Sequence, residues 1–134
     1  MLSTDQIKDL LLHGENKQVE FKKCTDKVSA SVYETVCSFL NAEGGYIFLG
    51  VDDDGAILGI NPKCVTDMTK SIINTLNNPE QFLPPMPITP EQTEIDDKII
   101  LYLNVPESEQ VHRYKNRFYD RWGDADNDVS KHTY

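Results

Sequence analysis

Val19-Glu20-Phe21-Lys22, Ser38-Phe39-Leu40-Asn41-Ala42-Glu43-Gly44-Gly45 and Tyr46-Ile47-Phe48-Leu49-Gly50-Val51-Asp52-Asp53-Asp54-Gly55, all within residues 15–59, decide the fold class. In the first piece apolar and charged residues alternate, which is the period of a half-buried strand; Val19 and Phe21 point one way, Glu20 and Lys22 the other. Between the first and second pieces, Ser31 and Glu34 have capping-box spacing. Val32, Val36 and Leu40, with Tyr33, Cys37 and Phe39 beside them, give a helix with a broad apolar face that stops near Asn41. Residues 46–51 are a continuous apolar run of strand length, and Asp53-Asp54-Gly55 turns it into residues 56–60, a central hairpin. Strand, helix and hairpin in this order predict an α+β fold with about three helices packed on a mixed β-sheet.

The flanks extend that pattern. Ser3 and Gln6 form another capping-box spacing, Ile7, Leu10 and Leu11 share a helical face, and Gly14 suits the residue after the helix. Asn61 as N-cap and Pro62 at the first helical position open a third helix with Val65, Met68, Ile72 and Leu76 on one side. The prolines at 84, 85, 87 and 90 keep the chain extended into a hairpin of residues 92–95 and 98–105 around Asp96-Asp97. A last strand, residues 117–122, puts Arg117, Tyr119 and Arg121 on one face and Phe118, Asp120 and Trp122 on the other, with half of them expected in the core. We expect one domain over residues 1–123, then a polar tail over 124–134 without a core of its own, leading into a further C-terminal region.

With 134 residues the chain suffices for one core. It has no apolar run long enough to span a bilayer and no basic-then-apolar leader, so no membrane association and a cytoplasmic location are expected. Cys24, Cys37 and Cys64 lack metal-ligand spacing and read as reduced thiols. His13, His112 and His132 form no nucleophile–base pattern with them. The net charge of −9 is unfavourable for a polyanion partner, yet residues 17–27 and 113–121 together carry +5, leaving −14 for the rest. Any nucleic acid must therefore meet a restricted face. Gly44-Gly45 is read as a sharp helix-to-strand turn rather than a phosphate loop, since no helix begins after it. Gly50 and Gly59 are read as close-packing positions in the hairpin, and Asp52, Asp53 and Asp54 as its solvated turn.

The ordered set Gly14-Glu15, Val19-Glu20-Phe21-Lys22, Ser38 to Gly45, Leu49 to Gly55 and Gly59 resembles the Schlafen/AlbA-like DNA-binding domain. In bacteria that domain opens longer proteins described as transcriptional regulators or helicase-related ATP-binding proteins. Tyr114-Lys115-Asn116-Arg117-Phe118-Tyr119-Asp120-Arg121-Trp122-Gly123 is similar to the family's closing strand. The resemblance implies a nucleic-acid-binding module, DNA favoured over RNA, with a homodimer among the arrangements considered and no catalytic residue or cofactor. Lys22, Lys23, Arg113, Lys115, Arg117, Tyr119 and Arg121 are its candidate contacts, because cations neutralise phosphate and interleaved aromatics stack on bases. It also implies an alternative, since some Schlafen proteins cleave RNA with two Glu and one Asp around a divalent metal. Glu15, Glu20 and Asp52 would then be the catalytic and metal-binding set, with Mg²⁺ or Mn²⁺ as cofactor. A dimerisation domain without nucleic-acid activity is the remaining alternative.

Overall fold

Ser3 starts the first helix in the manner its spacing predicts. Its hydroxyl accepts from the Gln6 N–H, the Gln6 side chain accepts from the Ser3 N–H, and α1 runs over Thr4–His13. The computed structural model describes residues 1–130, so His132 lies outside the described residues. Among those residues there are three helices and eight strands, the α+β class expected. No helix among them is long and apolar enough to cross a membrane.

The first sheet has the order β1-β2-β5-β4, from β1 (Val19–Lys22), β2 (Gly45–Leu49), β4 (Glu91–Ile95) and β5 (Lys98–Val105). β1 and β2 pair in parallel and are connected by α2 (Ala30–Leu40); the other pairs are antiparallel. The unbroken apolar run of β2 reflects cover on both faces. Phe48 packs with Ile7 and Leu11 of α1, while Ile47 and Leu49 pack with α2 and with Met68, Ile72 and Leu76 of α3 (Val65–Leu76). β5 divides the same way, Ile100 and Tyr102 toward α1, Leu101, Leu103 and Val105 toward α2. Asp96 and Asp97, both with left-handed φ (52° and 65°), close the β4–β5 hairpin as expected.

The second sheet, β3-β6-β7-β8, consists of β3 (Phe82–Leu83), β6 (Arg113–Tyr114), β7 (Arg117–Trp122) and β8 (Ala125–Asp128) and is antiparallel throughout. α2 packs against β6, β7 and β8 as well as against β2 and β5, and so joins the two sheets. Eight of its eleven residues are buried, yet its N-cap Ser29 makes no side-chain capping bond. A cap is worth about 1 kcal/mol, whereas each buried large apolar side chain contributes about 1.5–3 kcal/mol. Packing therefore holds this helix, and the expected Ser31 and Glu34 capping box is not used: Ser31 already lies inside the helix.

Other local expectations also shift. The central hairpin forms only as a short, irregular one: Gly50 has φ +88° just past the end of β2, the bridge Val51↔Ile57 and the bonds from Asp52 N–H to the Ala56 carbonyl (2.8 Å) and Leu58 N–H to the Gly50 carbonyl (2.8 Å) close the turn, and β2 takes β5 as its antiparallel ladder partner. Asn61 closes a side-chain turn onto the Lys63 N–H (3.1 Å) one turn before α3, whose N-cap is Cys64. Residues after Gly123, expected as a polar tail, instead supply β8 and the buried Val129. Of the two faces of residues 117–122, the one with Arg121 is enclosed, and Trp122 on the other is exposed.

Gly45 illustrates how tightly β1 and β2 are placed. A Cβ added there would stand 2.5 Å from the Gln18 carbonyl oxygen, a backbone atom that cannot swing away. Gly45→Ala is therefore expected to lower the stability read by urea unfolding by at least about 1–3 kcal/mol, the range for overpacking.

Candidate nucleic-acid interface

Beyond Lys22 the chain turns at Cys24, whose φ of +27° is unusual for a residue with a side chain. The loop then runs to the uncapped N-terminus of α2. Beside it lies a groove of about 700 Å³ lined by Lys22, Lys23 and Lys27, by the hydroxyls of Thr25, Ser29 and Ser31, and by the carboxylates of Glu15, Glu20, Asp26 and Asp53. Oriented N–H groups, hydroxyls and ammonium groups are donors suited to a phosphate oxygen. Lys27, in the first basic window but not among the expected contacts, belongs with Lys22 and Lys23.

The second basic window does not join them as a set. Arg121 was expected to reach phosphate, but its guanidinium has no exposed surface. It donates to Glu20 Oε1 (3.1 Å), Asp126 Oδ1 (2.7 Å), the Asn16 carbonyl (2.9 Å) and the Lys17 carbonyl (3.2 Å), and lies over the Phe39 ring at 4.7 Å. No donor edge remains for a ligand. Glu20 faces away from Val19 and Phe21 as expected, but into the second sheet rather than water. Arg117 is exposed and paired with Asp128 (3.0 Å). Lys115 sits over the Tyr114 ring at 5.4 Å, Arg113 is half-buried on β6, and Tyr119 is half-buried with its phenol pushed up to about 12, chiefly by burial.

The carboxylates converge in part. Glu15 and Glu20 lie in the same groove, close enough for a hydrogen bond once one of them holds a proton. Burial first, then that bond, then the charges of Glu20, Asp53 and Asp124 raise Glu15 from 4.5 to about 8. Asp52 is not brought to them; it pairs with Lys23 at 3.6 Å, and its neighbour Asp53 lines the groove. Among the described residues no three His, Cys, Asp or Glu side chains are grouped to hold a metal ion.

Two residues take framework roles beyond those expected of them, Asn41 having been read as a helix stop and Asp126 as part of the tail. Asp126, in the expected tail, accepts from Arg121 and from the Thr35 and Ser38 hydroxyls of α2. The Asn41 amide donates to the His112 carbonyl (2.8 Å) and the Tyr119 carbonyl (2.9 Å) and accepts from the His112 N–H (2.7 Å), so it ties α2 to the second sheet. The Cys37 thiol, buried in α2, is pushed up to about 12 by that burial, consistent with a core residue.

Residues 15–130 match the family model described as Schlafen, AlbA_2. The crystal structure of the DIP2311 protein from Corynebacterium diphtheriae is similar in fold, with TM-score 0.63 and 15% identity, over 84% of this chain and 25% of that one. The chain thus spans a quarter of that protein's length. The solution structure of the N-terminal domain of an ATP-dependent DNA helicase RecG-related protein from Nitrosomonas europaea is also similar, with TM-score 0.57 and 22% identity, over 81% of this chain and 76% of that one.

Removing Arg121 would leave Glu20 and Asp126 as uncompensated buried charges. Arg121→Ala is expected to cost about 3–5 kcal/mol in chemical denaturation. Glu15 sets a pH dependence of known sign. Its folded value lies above 4.5, so its contribution to stability is complete below about pH 4.5 and is lost as pH rises toward 8. Thermal melts from pH 4.5 to 9 are expected to show Glu15→Gln gaining on the wild type with rising pH, an effect reduced by solvent because Glu15 is only half-buried.

Proposed function

The chain belongs to the Schlafen, AlbA_2 family, and from that premise we propose that it is a nucleic-acid-binding module that meets the phosphate backbone through Lys22, Lys23 and Lys27. The observation carrying this reading is the groove in which these lysines line the same space as the hydroxyls of Thr25, Ser29 and Ser31. The carboxylates in its wall oppose a polyanion less than their number suggests: Glu20 is ion-paired with Arg121, and Glu15 holds a proton at neutral pH. The surrounding acidic surface then confines the nucleic acid to this region. DNA is favoured over RNA, with support from the likeness to the RecG-related N-terminal domain. The setting that suits such a module is a longer cytoplasmic bacterial protein, a transcriptional regulator or a helicase-related one.

A second reading, metal-dependent cleavage of RNA, has the Glu15–Glu20 pair in its favour. Labelled RNA incubated with Mn²⁺ or Mg²⁺ tests it, with Glu15→Gln as the variant because it preserves shape and leaves the Arg121 cluster intact. Equal behaviour of wild type and variant removes this reading.

Under the binding reading, fluorescence anisotropy with labelled oligonucleotides is expected to show affinity falling steeply with salt. Each of Lys22→Ala and Lys27→Ala should reduce the slope of log K against log salt by up to about 1, alike across sequences. Salt-independent binding, or no binding to DNA or RNA, overturns the reading.

A further inference from the structure

β7 presents two unlike faces. Tyr119 and Arg121 lie toward α2, with Arg121 opposite Asp126 in register. Trp122 is on the other side, opposite Ala125, and 56% of its surface is exposed. It is the chain's one tryptophan. Phe39, Phe48, Phe82 and Tyr102 are all fully buried, so an exposed indole stands apart from the treatment of large aromatics elsewhere in the fold. A long bond from its Nε1 to Asp120 Oδ2, 3.4 Å, holds the ring edge. A flat, rigid aromatic surface left open in this way suits stacking on another π-face.

The turn that carries the indole is linked to the groove wall through its neighbours in the chain. Its chain neighbour Arg121 grips the Asn16 and Lys17 carbonyls and Glu20, and Asp124, on the same turn, is close enough to Glu15 for its charge to act on that carboxyl. The hairpin end that carries Trp122 is thereby fastened to the wall formed by Glu15 and Glu20. Arg113, directly opposite half-buried Phe118, adds a cation to the same outer face of the sheet. A strand whose phosphates engage the lysines can therefore extend a base toward the indole.

We infer that Trp122 is a base-stacking platform, and that the nucleic acid this protein takes is single-stranded where it passes the β7–β8 turn. The inference rests on the binding reading above and adds the substrate class to it. Bases in a duplex have their faces covered by their neighbours, whereas an unpaired strand offers each base to an aromatic side chain.

The single tryptophan makes the test direct. Its emission is followed while short oligothymidylate, oligouridylate or a duplex of mixed sequence is added, with anisotropy of a labelled strand measured in parallel at two salt concentrations. Quenching by the single strands and little by the duplex is expected, with the two single strands separating DNA from RNA. Trp122→Ala should weaken single-strand binding about tenfold, and Trp122→Phe much less. Salt-sensitive binding with unchanged emission and an unaffected Trp122→Ala overturns this inference while leaving the binding reading intact. Equal quenching by duplex overturns the single-strand assignment, and no salt-sensitive binding to any probe overturns both readings.

Discussion

The buried guanidinium of Arg121 is the constraint on which the arrangement of layers depends. It is donated from β7, and its partners come from β1 (Glu20), from β8 (Asp126) and from the two carbonyls before β1 (Asn16 and Lys17). One side chain therefore fixes the second sheet to the edge of the first, with the Phe39 ring of α2 beneath it. A buried ion pair adds little net stability over a well-packed apolar set, because stripping water from each ion costs several kcal/mol. Its contribution is geometric: five donors in a planar fork can be satisfied in few ways.

The cluster is also balanced so that it influences the groove beside it. One guanidinium faces two carboxylates, and the hydroxyls of Thr35 and Ser38 supply the remaining donors to Asp126. Glu15 lies beside Glu20, and burial first, then the hydrogen bond and charge of Glu20, raise its carboxyl to about 8. An acidic protein can in this way present a groove lined by three lysines. Part of the charge that would repel a polyanion is taken up by the Glu20–Arg121 pair and by the proton on Glu15, while Asp26 and Asp53 remain in the lining beside Lys22 and Lys27.

Much of the fold could be read locally. The cap at Ser3 and Gln6, the turn at Asp96-Asp97 and the helix stop at Asn41 depend on residues within a few positions of one another, and all form. The apolar run of β2 announced a buried strand, although its ladder partners are β1 and β5, and the backbone of residues 56–59 bonds to the turn that begins at Gly50, whose left-handed φ follows the end of the strand. The functional region was legible in part. Lys22 and Lys23 were found by charge clustering, and Glu15 and Glu20 by family resemblance, but Asp52 lies apart from them, paired with Lys23.

β7 shows most sharply where the sequence stops. Alternation by itself determined that Tyr119 and Arg121 share one side of the strand and Trp122 lies on the other, because the period of a strand is a property of the backbone. Hydrophobicity then assigns the wrong side to the core. Only the tertiary structure decided that Arg121 is enclosed and Trp122 exposed, because the partners that make a buried arginine tolerable, Glu20 and Asp126, come from strands that meet only after the sheets have packed on α2. Local pattern sets which residues face together; long-range charge pairing sets which of the two faces is inside.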